Sequence, residues 1–270
     1  MHRLARCIRF SINPFLPSDP AGFNSFASKP TGEGLAIFLE LAVELTGRVA
    51  PETGFVVNVS DIDKTTREIA VPVFARRIRE DFEARRHTDF GAIADMLSSV
   101  WTRLSDKFEP AALSRITLKL NPFRQMAIED GNKKMVYFSE KFEFAATHKL
   151  WNDKFSEKEN LRIFGKCANP TGHGHNYTIE VTIRTPGGGD FKVGDFERLV
   201  DAEVITLVDH KNLNTDVREF GSINPTVEHI AVFAWSKLAE KLAGKLHCVT
   251  VWETDKTSCS YYGPEDKTPQ

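Results

Sequence analysis

The chain has 270 residues, of which 41% are hydrophobic and 27% are charged, and its formal net charge is −2. This length suits one large domain or two of ordinary size, and the composition is that of a globular protein in water. The near-neutral charge argues against nucleic acid or a membrane surface as a partner. The longest apolar runs are shorter than a membrane span, and we expect no signal peptide.

The four cysteines are scattered along the chain and form no CxxC pair. We interpret them as reduced thiols, which predicts a cytoplasmic location. Cys7, Cys248 and Cys259 lie in strand-like segments and are expected to be packing residues. Cys167 differs, because it lies in a Gly/Pro-rich loop beside two histidines.

An internal repeat organises the chain. Residues 31–47 align without a gap on residues 171–187, and both segments carry alternating apolar residues. Such self-similarity indicates duplicated structural units. We therefore interpret the chain as two copies of one unit, residues 1–132 and 133–270, joined near residues 130–134.

Each copy is predicted to run strand, strand, helix, helix, strand, strand. In the first copy, helices are expected at residues 63–85 and 90–108, and Pro72 leaves the start of the earlier helix open. In the second copy, residues 196–208 form the first predicted helix, because their apolar residues recur at helical spacing. The second helix is expected to start at Asn224-Pro225, where a capping residue precedes proline.

These elements predict an α+β fold, in which each copy is an antiparallel sheet with a helix pair on one face. A hairpin is expected near the end of the second copy, formed by Cys248–Glu253 and Ser258–Tyr262. Four-stranded sheets have bare edges, so such units tend to associate into barrels.

The loop before the second strand of the second copy carries two candidate metal ligands. His173 and His175 are two residues apart, so both rings leave the same face of an extended chain. Gly172 and Gly174 leave room for an ion. His148, after an earlier alternating run, supplies a third imidazole. A flexible His-Gly-His turn with solvated rings is the simpler interpretation, and His148 counts against it.

Three histidines without a fourth protein ligand are typical of a catalytic zinc, with one position left for water or substrate. Copper, nickel and iron also bind imidazole, so the pattern leaves the ion open. The first copy has Glu33 and Leu35 in the places of His173 and His175. This difference predicts one site per chain and favours a functional metal over a structural one.

Two further groups of the second copy are candidates for proton transfer. Cys167, beside Lys166 and a dication, would have a lowered pKa and act as a base or nucleophile; a plain buried cysteine is the alternative. Asp209 and His210 follow the first helix. If the helix stops there, the carboxylate can orient a histidine acid/base; a charged helix end is the alternative.

Glu253 lies in an otherwise apolar strand and needs hydrogen-bond donors if it is buried. A ring N–H beside an amino group, as in pterin or guanine, offers two parallel donors. Thr226 and Glu228, at the start of the second helix, are candidate ligand contacts, although capping alone would explain them.

Five motifs of the second copy form a specific set. They are Phe144-Ala-Ala-Thr-His148, Phe164-Gly-Lys-Cys167 followed after five residues by His173-Gly-His-Asn-Tyr177, Leu207-Val-Asp-His-Lys-Asn-Leu213, Pro225-Thr-Val-Glu228 and Trp252-Glu-Thr-Asp255. Together they resemble the 6-pyruvoyl tetrahydropterin synthases and their relatives, the 6-carboxytetrahydropterin synthases. The first copy resembles a degenerate member of the same T-fold group.

The resemblance implies a tandem pair of T-fold units and a pterin enzyme. Its implied site residues are the Zn²⁺ ligands His148, His173 and His175, the catalytic residues Cys167, Asp209 and His210, and the substrate-binding residues Glu253, Thr226 and Glu228. The implied substrate is 7,8-dihydroneopterin triphosphate, from which triphosphate is eliminated with an internal redox shift in the side chain. The resemblance also implies a homo-oligomer with active sites at the interfaces.

The gap between Cys167 and His173 resembles that of the pyruvoyl-forming synthases, whereas the carboxy-forming enzymes of the queuosine route more often have a shorter one. We therefore expect a zinc-dependent lyase that forms 6-pyruvoyl tetrahydropterin. A 6-carboxytetrahydropterin synthase is one alternative. A module that binds a pterin without catalysis is another, and the presence of Asp209 and His210 as well as Cys167 counts against it.

Overall fold

A computed structural model of the chain describes residues 1–16, 35–131, 135–187 and 189–264. It contains two compact units, which we call unit 1 (Met1–Phe138 with Thr185–Phe191) and unit 2 (Ser139–Arg184 with Lys192–Gln270). Of the sequence predictions, Glu33 and part of the junction at residues 130–134 fall outside the described residues. The boundary between residues 132 and 133 stays a prediction.

Unit 1 contains four antiparallel strands and a pair of helices. In chain order they are β1 (His2–Ile12), β2 (Ile37–Gly47), α1 (Val59–Glu83), α2 (Phe90–Leu104), β3 (Ala112–Lys119) and β4 (Arg124–Glu129). The strands pair in the order β1-β2-β3-β4. Helix α1 packs on β1, and α2 packs on β3 and β4, so the apolar faces of sheet and helices form one core.

Helix α1 continues through Pro72 and begins at Val59, earlier than the predicted start at Asp63. Its first turn is capped by Asn58, whose side chain accepts a hydrogen bond from the Ser60 N–H at 3.0 Å. Pro72 removes one N–H from the helix ladder. Both Pro72 and Glu68, one turn earlier, are exposed, so water can solvate the carbonyl that loses its partner. Helix α2 ends at Leu104 rather than at Phe108.

Unit 2 holds most of the remaining elements. They are β5 (Met135–His148), α3 (Glu157–Phe164), β6 (His173–Pro186), α4 (Val193–Val200), α5 (Thr206–Val208), β7 (Lys211–Asn212), α6 (Leu213–Asp216), α7 (Val227–Leu238), β8 (Leu246–Thr254) and β9 (Thr257–Tyr261). The strand order is β5-β6-β8-β9, and the short β7 pairs in parallel with β5. Helix α7 packs on β8 and β9.

The helices of unit 2 differ from the prediction at several points. The expected helix over residues 196–208 is α4 and α5 joined by a π-helical turn at Asp201–Ile205. Helix α7 begins at Val227, because Thr226 caps it, two residues after the start predicted near Asn224-Pro225. Helix α3 was not predicted. Ser156 and Glu159 form a capping box at its start.

The observed architecture confirms an α+β fold built on antiparallel strand pairs with packed helices. Within the described chain, β1 and β9 each have a neighbour on one side only, so neither unit is a closed barrel. Among the same residues, no helix has both the length and the apolar character needed to cross a membrane.

Candidate metal centre

The three predicted histidines lie at one end of the apolar face of the unit 2 sheet. Alternation along β6 puts His173 and His175 on the same face as Tyr177 and Ile179, both of which are fully buried. His148 ends β5 and is 1% exposed. The three histidines therefore continue core stripes, which explains why strand periodicity predicts that they lie together.

The ligand nitrogens of the three histidines all lie within 4.8 Å of one another. His148 Nε2 and His173 Nε2 are 3.2 Å apart, and the three rings meet edge to face. With Zn–N bonds of about 2.0–2.1 Å, two nitrogens at tetrahedral corners lie about 3.3 Å apart. The spacing of these two nitrogens thus suits a shared cation.

The orientation of His148 is fixed from its other nitrogen. Nδ1 lies 2.9 Å from the carbonyl oxygen of Pro225 and 3.3 Å from the hydroxyl of Tyr177. A carbonyl oxygen can only accept a hydrogen bond, so Nδ1 of His148 carries the ring proton and donates a hydrogen bond to the Pro225 carbonyl. Nε2 is then left with its lone pair toward the other histidines. A hydrogen bond of this kind selects the tautomer that binds a metal.

The site also has an unsatisfied polar atom that a cation would explain. Among the described residues, Nε2 of His175 finds no hydrogen-bond partner although it is buried, and a buried polar atom without a partner is costly. Burial is the main reason that the pKa values of all three imidazoles, including that of His148, are lowered. Neutral imidazoles are the form that binds a metal. The residues therefore fit a metal ion.

Glu253 lies against this cluster. Its Oε1 is 3.5 Å from Nε2 of both His148 and His175. The residue is the extra one in a β-bulge of β8, between the paired residues Trp252 and Thr254. Bulges next to active sites often re-aim a side chain. The sequence predicted Glu253 as a ligand anchor, and the structure places its carboxylate at the edge of the histidine cluster.

Cys167 also reaches the cluster. The 3₁₀ turn Gly165–Ala168 brings its Sγ to 3.8 Å from Nε2 of His173. Burial, and then the charge of Glu253, raise the pKa of the thiol. The sequence predicts a lowered pKa beside a dication, and the protein groups alone act in the opposite direction. Any lowering must therefore come from the ion.

Asp209 and His210 form the predicted pair, because helix α5 ends at Val208. Oδ2 of Asp209 lies 2.9 Å from Nδ1 of His210. The other oxygen accepts a hydrogen bond from the Ala145 N–H at 2.9 Å, and the His210 N–H donates to the Ala145 carbonyl at 2.6 Å. The hydrogen bonds to the Asp209 carboxylate, first the one from the Ala145 N–H and then the one from the His210 ring, lower the pKa of Asp209. The His210 side chain is 83% exposed.

Thr226 and Glu228 have the contacts of a helix start. The Thr226 hydroxyl accepts a hydrogen bond from the His229 N–H at 3.4 Å. A hydrogen bond from the same hydroxyl is the main cause of the lowered pKa of Glu228. Their neighbour Pro225 touches His148 directly. This segment therefore borders the metal centre, and a contact of Thr226 or Glu228 with a ligand stays a prediction.

Sequence reasoning missed two groups that support His148. Tyr177 was expected only as a core residue of β6, yet its hydroxyl reaches His148 Nδ1. Its ring stacks on Phe144 with centroids 4.9 Å apart. The second group, the Pro225 carbonyl, is a backbone atom, so the residue type at this position does not predict its contact with His148. Strand alternation puts Tyr177 on the correct face, but its partner follows from tertiary packing.

Comparisons with known proteins identify relatives of the second half of the chain. The family described as 6-pyruvoyl tetrahydropterin synthase matches residues 137–264. The Homo sapiens 6-pyruvoyl tetrahydrobiopterin synthase is 37% identical over 144 residues, which are 51% of this chain and 99% of that protein. A 6-carboxy-5,6,7,8-tetrahydropterin synthase from Synechocystis sp. is 32% identical over 129 residues, covering 46% of this chain and 90% of that protein. The solved structure of the Caenorhabditis elegans 6-pyruvoyl tetrahydropterin synthase is 33% identical, covers 48% of this chain and 96% of its own, and has a TM-score of 0.46.

Proposed function

Because this chain belongs to the 6-pyruvoyl tetrahydropterin synthase family, we propose that it is a zinc-dependent lyase. Its substrate is 7,8-dihydroneopterin triphosphate, and its products are 6-pyruvoyl tetrahydropterin and triphosphate. The observation that carries this proposal is the convergence of His148, His173 and His175, with Cys167 Sγ 3.8 Å from a ligand nitrogen. A metal and a thiol so close together suit proton removal from a metal-bound substrate.

The proposed reaction balances without an external oxidant or reductant. Two electrons pass from the substrate side chain to the C=N bond of the dihydropterin ring. The C–O bond to the triphosphate then breaks, and the triphosphate leaves with the bonding pair. Zn²⁺, when bound by the three histidines, would supply Lewis acidity toward the side-chain hydroxyl oxygens, which would make the adjacent C–H groups more acidic. Histidine nitrogens and a free fourth position favour zinc over other ions.

The protein groups divide the proton transfers between them. Cys167 is the base, because its Sγ lies 3.8 Å from Nε2 of His173 and the other acceptor beside the cluster, Glu253, is assigned to the pterin ring. His210 is the acid, and Asp209 holds its Nδ1 so that Nε2 is free to exchange protons. Glu253 accepts hydrogen bonds from the pterin ring N–H and amino group. Thr226 and Glu228 complete the pterin-binding residues at the start of α7.

A second candidate product is 6-carboxytetrahydropterin, because the relative from Synechocystis sp. bears that name. The segment between Cys167 and His173 favours the pyruvoyl product, since its length resembles that of the pyruvoyl-forming enzymes. A module that only binds a pterin is less well supported, because Cys167 and the Asp209–His210 pair lie in an arrangement that serves proton transfer.

The N-terminal half is proposed to be a second T-fold copy, residues 1–132, that lacks the ligands, followed by the active copy, residues 133–270. Both halves run strand, strand, helix, helix, strand, strand, apart from the short additional elements of unit 2. Leu39 and Val43 of β2 are buried, as are their aligned counterparts Ile179 and Ile183 of β6. These matches in order and burial support a duplication.

Association into a barrel with active sites at the interfaces belongs to the same proposal. The single-sided edge strands β1 and β9 support it, since their unpaired backbone groups can be covered by a neighbouring subunit. A cytoplasmic location is supported by the four cysteines, all of which are free thiols.

The test is incubation of the zinc-loaded protein with 7,8-dihydroneopterin triphosphate. Triphosphate release and a product with the mass of 6-pyruvoyl tetrahydropterin are expected. The mass of 6-carboxytetrahydropterin would identify the second candidate. Binding of the substrate without triphosphate release would refute the lyase and leave the binding module.

A further inference from the structure

A polar cavity of about 630 Å³ lies beside the metal centre in unit 2. Three segments line it, namely parts of residues 149–154, 170–172 and 212–224. The first segment follows directly on His148, and the second ends immediately before His173. The cavity therefore adjoins two metal ligands through the backbone, and its volume is in the range of ordinary small-molecule sites.

The walls of this cavity are held by hydrogen bonds. The Asn214 side chain accepts from the Lys149 N–H at 2.7 Å and donates to the Lys149 carbonyl at 2.9 Å. The Asn224 side chain accepts from the Trp151 N–H at 2.8 Å. Because these bonds join residues far apart in the chain, the cavity is largely formed before any ligand binds. Such preorganisation lowers the entropic cost of binding.

The charge of the cavity favours an anion. Lys149 and Lys154 line it, with Asp153 as the one carboxylate in the lining. Within the described part of the chain, neither lysine forms an ion pair. Nζ of Lys149 lies 4.2 Å from the centroid of the Trp151 ring, which holds the ammonium group in place. The Thr171 hydroxyl adds a hydrogen-bond group to the lining.

We infer that this cavity binds the triphosphate group of the substrate, with Lys149 and Lys154 as its cationic contacts. The inference rests on the proposed function, which supplies the triphosphate. Ammonium groups are established phosphate partners. A cavity next to the metal ligands places the triphosphate near a pterin side chain held at the metal. The two ammonium groups would also stabilise the negative charge that the leaving triphosphate gains when its C–O bond breaks.

The test uses inorganic tripolyphosphate and the full-length chain in isothermal titration calorimetry. Lys149→Gln and Lys154→Gln should each weaken binding about tenfold, because each removes a charge-assisted hydrogen bond. Lys245→Gln is the matched control, since Lys245 is an exposed lysine that is not part of the cavity lining. Lys149→Arg, which keeps the charge, should bind more tightly than Lys149→Gln. Equal affinities in all these proteins would overturn the inference.

Tripolyphosphate also chelates zinc, so the titration is run on zinc-loaded and on metal-free protein. A lysine-dependent signal in both forms supports the cavity, whereas a signal confined to the zinc-loaded form and independent of the lysines overturns it. The turnover assay separates this inference from the proposed function. Normal turnover with lysine-independent tripolyphosphate binding refutes the cavity alone. Lysine-dependent binding without turnover refutes the lyase and leaves an anion site.

Discussion

Substitution of Gly172 by alanine tests how the metal ligands are held. Gly172 has a φ of +68°, and a Cβ at this position would lie 2.7 Å from the carbonyl oxygen of His148. The sequence suggested that this glycine leaves room for an ion, but the structure shows that it leaves room for the backbone of another ligand. An alanine here would have to push His148 away from His173.

The expected loss of stability in Gly172→Ala has two sources. A residue other than glycine at positive φ costs about 1–2 kcal/mol. Relief of a backbone contact well inside van der Waals distance adds about another 1–2 kcal/mol. The total of roughly 3 kcal/mol corresponds to a fall in Tm of about 6–12 °C for a protein of this size. Displacement of His148 should also weaken zinc binding about 10- to 100-fold, which is the usual loss of metal affinity when the groups that orient a metal ligand are changed.

Gly174→Ala is the matched control, because Gly174 lies between His173 and His175 and its added Cβ would come no closer than 3.3 Å to the Thr147 side chain and 3.5 Å to the Ala146 carbonyl oxygen. Thermal unfolding and competition with a chromophoric zinc chelator are measured for both variants. We expect a large loss of Tm and of zinc affinity for Gly172→Ala and a small one for Gly174→Ala. Equal losses in the two variants would refute the role of the Gly172 contact.

Three further substitutions test separate parts of the chain. Cys167→Ala should keep the metal and lower turnover about 10²- to 10⁴-fold, because it removes the proposed base but no ligand; full activity would exclude that role. His173→Ala should lose the metal in elemental analysis and keep the circular dichroism of a folded protein; an unfolded variant would show that the ligand is structural. Asp81 is 1% exposed; burial raises its pKa, but hydrogen bonds from Arg77 and Arg86 outweigh burial and leave the pKa below its usual value. Its stabilisation is therefore present above about pH 4 and lost as the pH falls through the folded-state pKa. Asp81→Asn should lower stability at pH 7 by about 2 kcal/mol and flatten this acid dependence, and an unchanged denaturation curve at pH 7 would contradict it.

The cluster of three histidines was predictable because it follows from strand periodicity. His173 and His175 continue the odd-numbered stripe of β6 that includes Tyr177, and His148 continues the buried stripe of β5. Apolar alternation reports which face of a strand is buried, so residues at the end of that stripe can be placed without a structure. Asp209 and His210 were predictable for a different reason, since asparagines after them indicated that the helix ends there.

The supporting contacts were not predictable, because they join distant parts of the chain. His148 and Pro225 are 77 residues apart, and the atom that accepts the hydrogen bond is a backbone carbonyl. The position of Glu253 depends on a bulge in β8, which has no distinct sequence signal here. Both features are set by how strands and loops pack, and local propensity contains no information about them.

The predicted helix boundaries differ from the observed ones where the rules for proline positions compete with solvation and side-chain capping. Pro72 usually argues for a helix start, but at this exposed position the helix tolerates the missing hydrogen bond. At α7, Asn224 before proline at the first helical position was the expected signal, yet the helix is capped two residues later, by the Thr226 side chain. The unpredicted α3 is short and lacks a long apolar stripe, so its capping box was its main signal.

Strand β5 carries His148 at its end and, three residues earlier, the Ala145 peptide that positions Asp209 and His210. His148 and the Asp209–His210 pair are thus held by the same strand, although they come from different segments of the chain. For the proposed enzyme, we expect a displacement of β5 at His148 to change the position of His210 as well.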